Sequence, residues 1–175
     1  AAIVFSASDV RPEGIAASTG ATLLAFVYMG IALGFVLLLR REQPAWMLLW
    51  VLVTTKSCDI GAYFTGRLIG RTKLIEWVSP GKTWEVVIGG LVLSGIVGVV
   101  GSQWASELSV AWGLAVGVTL GAVGQLGDLL ASLLKRDAGL KDSGRGVPGF
   151  GGWLDVLDSP LLEMPVAYWL LKVAM

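Results

Sequence analysis

The alternation of apolar and polar stretches along the chain predicts five long helices and two polar connectors. Residues 19–39 are apolar and uncharged, close to the roughly 20 residues a helix needs to cross a bilayer. Arg40 and Arg41 close that stretch, and Pro44 opens the next from a first-turn position that proline favours. A second helix is predicted over 45–68, with Trp46 and Trp50 suited to a membrane interface at its start. Its second half carries Lys56, Asp59, Tyr63 and Arg67 at steps of three, four and four, so all four share one helical face. Lipid does not accept such a row, and it is expected to look into the bundle or a water-filled cavity. The plainer alternative is a Lys56–Asp59 pair that only fixes helix packing.

Residues 69–85 read as a polar loop, 86–101 as a third span rich in glycine, and 108–134 as a fourth. Gly113, Gly117 and Gly121 recur every four residues, a spacing that lets helices approach closely. A glycine-rich stretch, 144–152, cannot span a membrane, and a short last helix is predicted over 160–175. Residues 1–18 are mixed and read as a loop or the end of a preceding segment.

Composition turns this pattern into a fold class. Of 175 residues, 55% are hydrophobic and 15% charged, against about 25% charged in a soluble domain. The chain is expected to be an all-α polytopic membrane protein of about five transmembrane helices. Residues 1–175 would form one catalytic domain, read as the C-terminal part of a longer protein. Net charge is zero, so global charge argues for no particular partner, and no nucleic-acid partner is expected. Cys58 is alone and forms no internal disulfide, and its bland reading is a small packed residue. Histidine is absent, so any metal is expected to be a hard ion on oxygen ligands, pointing to magnesium. Arg67, Arg71, Lys73, Lys82, Lys135, Arg136, Lys141 and Arg145 fall on one side if the two polar connectors share it. The positive-inside rule then puts both connectors in the cytoplasm of a multi-pass protein of the inner membrane.

The chemistry is concentrated after residue 127. Asp128, Ser132 and Lys135 stand at steps of four and three on one helical face, and Asp155 and Asp158 are three apart before the last span. Glycines between them bring backbone N–H groups close to an anion. Three carboxylates suit one or two hard cations that bridge phosphate oxygens, while Lys135, Arg136, Lys141 and Arg145 neutralise the remaining charge. This is equipment for phosphoryl or nucleotidyl transfer, in which positioning and charge neutralisation do most of the catalysis. A salt-bridged, solvated loop is the competing reading.

At these residues the chain resembles the phosphatidate cytidylyltransferase family, the CDP-diacylglycerol synthases. Ser132, Lys135, Arg136, Lys141, Asp142, Pro148, Gly151, Gly152, Asp155 and Asp158 stand at the spacing of the family's C-terminal signature. A second stretch, Asp59-Ile-Gly61-Ala-Tyr63 to Arg67 followed by Ser79-Pro80-Gly81-Lys82-Thr83-Trp84-Glu85, is also similar. The resemblance covers about residues 45–160. It implies transfer of CMP from CTP to phosphatidic acid in the bilayer, giving CDP-diacylglycerol and pyrophosphate, with magnesium and room for a second, monovalent cation. It also implies a homodimer. By that likeness Asp128, Asp155 and Asp158 are metal ligands, and Lys135, Lys141 and Asp142 are catalytic. Asp59, Ser79, Lys82, Ser132, Arg136 and Arg145 would bind substrate. Phe150 and Val156 depart from the family's usual His and Arg. The nucleophile is a phosphate monoester, largely ionised near pH 7, so a general base is dispensable. Arg145 or Lys141 is expected to supply the charge that Val156 lacks. The alternatives are a CTP-dependent transferase for another lipid phosphate, and a membrane transporter; the clustering of polar residues at one rim, away from the midplane, disfavours the latter.

Overall fold

A computed structural model describes residues 15–75, 81–105, 108–137 and 153–175; at 15–18, 21 and 153–158 it describes the backbone alone. Five helices follow in order: α1 (Ile15–Glu42), α2 (Ala45–Ile69), α3 (Trp84–Ser102), α4 (Val110–Asp137) and α5 (Trp153–Ala174). Among the described residues there is no strand, only an isolated bridge between Lys73 and Thr83. The protein is therefore an all-α membrane protein, as its composition predicts.

Among the described residues three helices are both long and apolar enough to cross a bilayer: Thr22–Glu42 within α1, Trp84–Ser102, and Val110–Asp137. The 25 residues of α2 and 22 of α5 are also long enough. Both carry polar side chains along their length, which lowers their hydropathy. Two boundaries differ from the sequence reading. Helix α1 begins at Ile15, inside the stretch read as a loop, and α5 begins at Trp153, seven residues before its predicted start. Residues 155 and 158 thus lie within the first two turns of a helix.

Successive helices pack side by side, α2 on α3, α3 on α4 and α4 on α5, while α1 lies along α5. The α3–α4 seam is made of small residues. A Cβ on Gly98 would stand 2.8 Å from Gly117 Cα, and one on Gly117 would stand 2.9 Å from Gly95 Cα. The repeating glycines of α4 are thus a packing surface, where backbones touch because side chains are missing. At the end of the bundle away from the 70–83 connection, Met47, Trp50, Val51, Val116, Leu120, Met164 and Leu171 form an apolar core. Toward the connection the buried positions turn polar: Thr54, Thr55, Ser57, Ser94, Ser159 and Glu163.

Candidate active site at the loop end of the bundle

The connection between α2 and α3 is fastened on both sides of Lys82. Leu74 N–H donates to Lys82 O at 3.0 Å, and Trp84 N–H donates to Thr72 O at 3.0 Å. Thr83 caps α3 by accepting from Val86 N–H, a role threonine fills well. Glu85, in the first turn, accepts from the backbone N–H groups of Arg71 and Thr72 and from the Thr72 hydroxyl at 2.8 Å. The polar string from Ser79 to Glu85 therefore ends as a stapled helix entrance, which holds Lys82 over α4.

There the Lys82 ammonium meets Asp128. Nζ lies 2.7 Å from Asp128 Oδ2 and donates to the Gln125 carbonyl at 3.2 Å. The lysine side chain is 14% exposed and the carboxylate 40%, so one partner is nearly sequestered while the other faces the rim. Two motifs that lie far apart in sequence thus make contact. Gln125 holds the contact from below: its amide donates to Val87 O at 3.1 Å on α3 and to Cys58 Sγ at 3.2 Å on α2. Gly90 leaves the space, since a Cβ there would stand 2.7 Å from the Gln125 amide nitrogen. Cys58 is buried beside it, as a small packed residue.

Deeper in the bundle, Glu163 of α5 is fully buried. Its Oε2 is hydrogen-bonded to the Thr55 hydroxyl of α2, which also lies 3.0 Å from Val51 O. Its Oε1 has no hydrogen-bond partner among the described residues and rests against Gly124, where a Cβ would collide with it. Asp128 is one helical turn beyond Gly124 on the same face of α4. Residues 159 and 155 step in the same direction on the antiparallel α5, so the register carries residues 128 and 155–158 to one end of the α4–α5 pair.

Ser132 and Lys135 are half-buried on the last turns of α4, and Arg136 is exposed. Ser79, Lys141, Asp142 and Arg145 lie outside the described residues, as do the side chains of Asp155 and Asp158. The row on α2 departs from its predicted direction. Asp59, Tyr63 and Arg67 are exposed on the outer face, with Lys56 Nζ 2.9 Å from Asp59 Oδ2 and Arg67 donating to Tyr63 OH at 3.5 Å. The inward positions of α2 are occupied by Thr54, Thr55, Cys58 and Gly61. The Lys56–Asp59 pair is formed, but it is exposed.

Among the described residues no three acidic, Cys or His side chains gather as a metal site. The donor chemistry nonetheless fits a hard cation: Asp128 offers carboxylate oxygen at the rim and already holds a cation, the Lys82 ammonium, against it. Sequence reasoning passed over Glu163 and Gln125. An acid inside the apolar run Leu161-Leu-Glu163-Met-Pro165 was a visible signal; a glutamine among glycines was not.

Residues 2–174 match the cytidylyltransferase family. The protein YnbB of Escherichia coli is 38% identical over 131 residues, covering 75% of this chain and 44% of its own length. The phosphatidate cytidylyltransferase of Haemophilus influenzae is 38% identical over 124 residues, 68% of this chain and 43% of that protein. That of Thermotoga maritima is 36% identical over 183 residues, 98% of this chain and 66% of that protein. The chain spans about half the length of the curated relatives it matches. Matched along nearly all its residues, the chain belongs to the cytidylyltransferase family.

Proposed function

We propose that this protein transfers CMP from CTP to phosphatidic acid, releasing pyrophosphate and leaving CDP-diacylglycerol in the membrane. An oxygen of the phosphatidate phosphate attacks the α-phosphorus of CTP; the bond from that phosphorus to the bridging oxygen breaks, and pyrophosphate carries away the electron pair. The attacking monoester is mostly dianionic near pH 7, so no side chain has to take a proton. The observation that supports this reading is the Lys82–Asp128 contact at the loop end of the bundle, which joins the α2–α3 connection to α4.

In this reading Lys82 supplies a positive donor to the triphosphate, its backbone fixed by the stapled helix entrance. Asp128, Asp155 and Asp158 hold magnesium, which when bound neutralises phosphate charge and fixes the reacting groups in line. A second, monovalent cation remains part of the proposal. Lys135, Lys141 and Asp142 serve the transfer, and Asp59, Ser79, Ser132, Arg136 and Arg145 serve substrate binding. Acyl chains stay in the bilayer while the headgroup meets CTP at the cytoplasmic side of the inner membrane. The active assembly is a homodimer.

The test uses the purified chain in detergent with phosphatidate, CTP labelled in its cytidine and magnesium. Label is expected to enter the lipid phase with wild type and not with Asp155→Asn. No label in lipid from wild type, or equal label from both, refutes the assignment.

A further inference from the structure

Lys82 pairs with one of the carboxylate oxygens that Asp128 would offer a metal ion. Its ammonium is 2.7 Å from Asp128 Oδ2, is also bound to the Gln125 carbonyl, and is more deeply covered than the carboxylate it neutralises. A divalent ion on that carboxylate sits about 2.1 Å from oxygen. An ammonium on the same oxygen would then lie within about 5 Å of it, where like charges repel strongly at a partly covered site. The two cations therefore weaken each other's hold on Asp128.

The geometry points to Lys82 as a built-in competitor of the metal, holding Asp128 until metal and triphosphate arrive together. This deepens the reading of Asp128 as a metal ligand and rests on it. The backbone around Lys82 is tied down by the Leu74–Lys82 and Thr72–Trp84 hydrogen bonds and by the Thr83 cap. The exchange is therefore a swing of one flexible side chain. When a divalent ion engages Asp128, the ammonium leaves the carboxylate and needs another anion, and a nucleotide triphosphate provides one. Metal without nucleotide binds weakly because it must displace the lysine unaided. Metal with nucleotide binds well because the displaced lysine gains a phosphate partner. The ion pair thus couples the two ligands and keeps Asp128 neutralised between turnovers.

The test reads metal binding directly. Free Mn2+, a hard dication of the same ligand preference as magnesium, is measured by electron paramagnetic resonance against the full chain in detergent without nucleotide. Lys82→Met is expected to bind Mn2+ about fivefold tighter than wild type, the scale of one partly exposed ion pair. Lys82→Arg, which keeps the charge, and Lys73→Met, a lysine elsewhere in the same connection, are each expected to stay within about twofold of wild type. Asp128→Asn is expected to lose the site, and Lys82→Met added to it should restore nothing. Unchanged or weaker binding in Lys82→Met, with the site still lost in Asp128→Asn, overturns the competition while leaving Asp128 a ligand. Equal tightening in Lys73→Met shows a diffuse field and also overturns it. Wild-type binding in Asp128→Asn, or no binding by any variant, sinks the ligand assignment and this inference with it.

Discussion

The two halves of the bundle are filled by different chemistry. Away from the 70–83 connection, Met47, Trp50, Val51, Val116, Leu120, Met164 and Leu171 fill the interior, where the Trp50 indole N–H donates to Val97 O at 3.2 Å across α2 and α3. Another polar contact there joins α1 to α5: Tyr168 OH donates to Glu42 at 3.0 Å and accepts from Lys172 Nζ at 3.0 Å. Toward the connection, each layer between helices is polar: Thr55 with Glu163, then Gln125 with Cys58 and Val87 O, then Lys82 with Asp128. Exposure rises along that series, from a fully buried acid to a carboxylate at the rim. The apolar half supplies rigidity. The polar half costs stability to assemble and places charge at one end of the bundle, which is the expense expected of a site.

Breaking the rim should separate activity from folding most sharply. Asp128→Asn keeps the shape of the side chain and removes its charge. Cytidylyl transfer is expected to fall by about 100-fold or more, with little change in the detergent melting temperature; retention of a tenth of the activity would blur the contrast between the halves. Next in size is the buried acid. Glu163→Ala empties a filled position and strips Thr55 of its partner, with an expected loss of about 2–4 kcal/mol in stability. Glu163→Gln fits the same space, can bond the same hydroxyl, and is expected within about 1 kcal/mol of wild type. Chemical denaturation in mixed micelles measures both, and equal losses would mean that the negative charge itself is required.

The small-residue seam crosses both halves and is sensitive to any added atom. Gly98→Ala puts a Cβ 2.8 Å from Gly117 Cα, so α3 and α4 must part, at an expected cost of about 1–3 kcal/mol. Thermal unfolding checks it, and an unaltered midpoint would show a looser seam. The smallest effect belongs to the far end. Tyr168→Phe loses its hydroxyl bonds to Glu42 and Lys172, worth about 1 kcal/mol, and transfer activity is expected to hold. A fall in activity comparable to that of Asp128→Asn would break the division between an active rim and a structural far end.

Much of the architecture could be read from hydropathy. All five helices were predicted, most of their ends within three residues, because a long apolar run bounded by Arg40, Pro44 or Gly70 has few other ways to satisfy its backbone. The start of α5 was misplaced because Asp155 and Asp158 resemble loop residues, although their backbone is helical. The direction of the Lys56–Arg67 row was also misjudged. Periodicity shows which residues share a face, and only the neighbours decide where that face points. On α2 the opposite row, Thr55, Cys58 and Gly61, is small enough for α3 to approach, with Gly61 held so close that a Cβ would stand 2.8 Å from Leu93 Cβ.

By itself the sequence determined the membrane class, the five described helices and the residue types available for holding phosphate, since these follow from local composition and spacing. Only the tertiary structure decided that Lys82 meets Asp128, that Gln125 braces them, and that a carboxyl lies buried at Glu163 against Gly124. Each of those contacts joins residues that are far apart in the chain or on different helices. Their pairing depends on helix register and on where a missing side chain lets two backbones close, quantities that no local pattern carries.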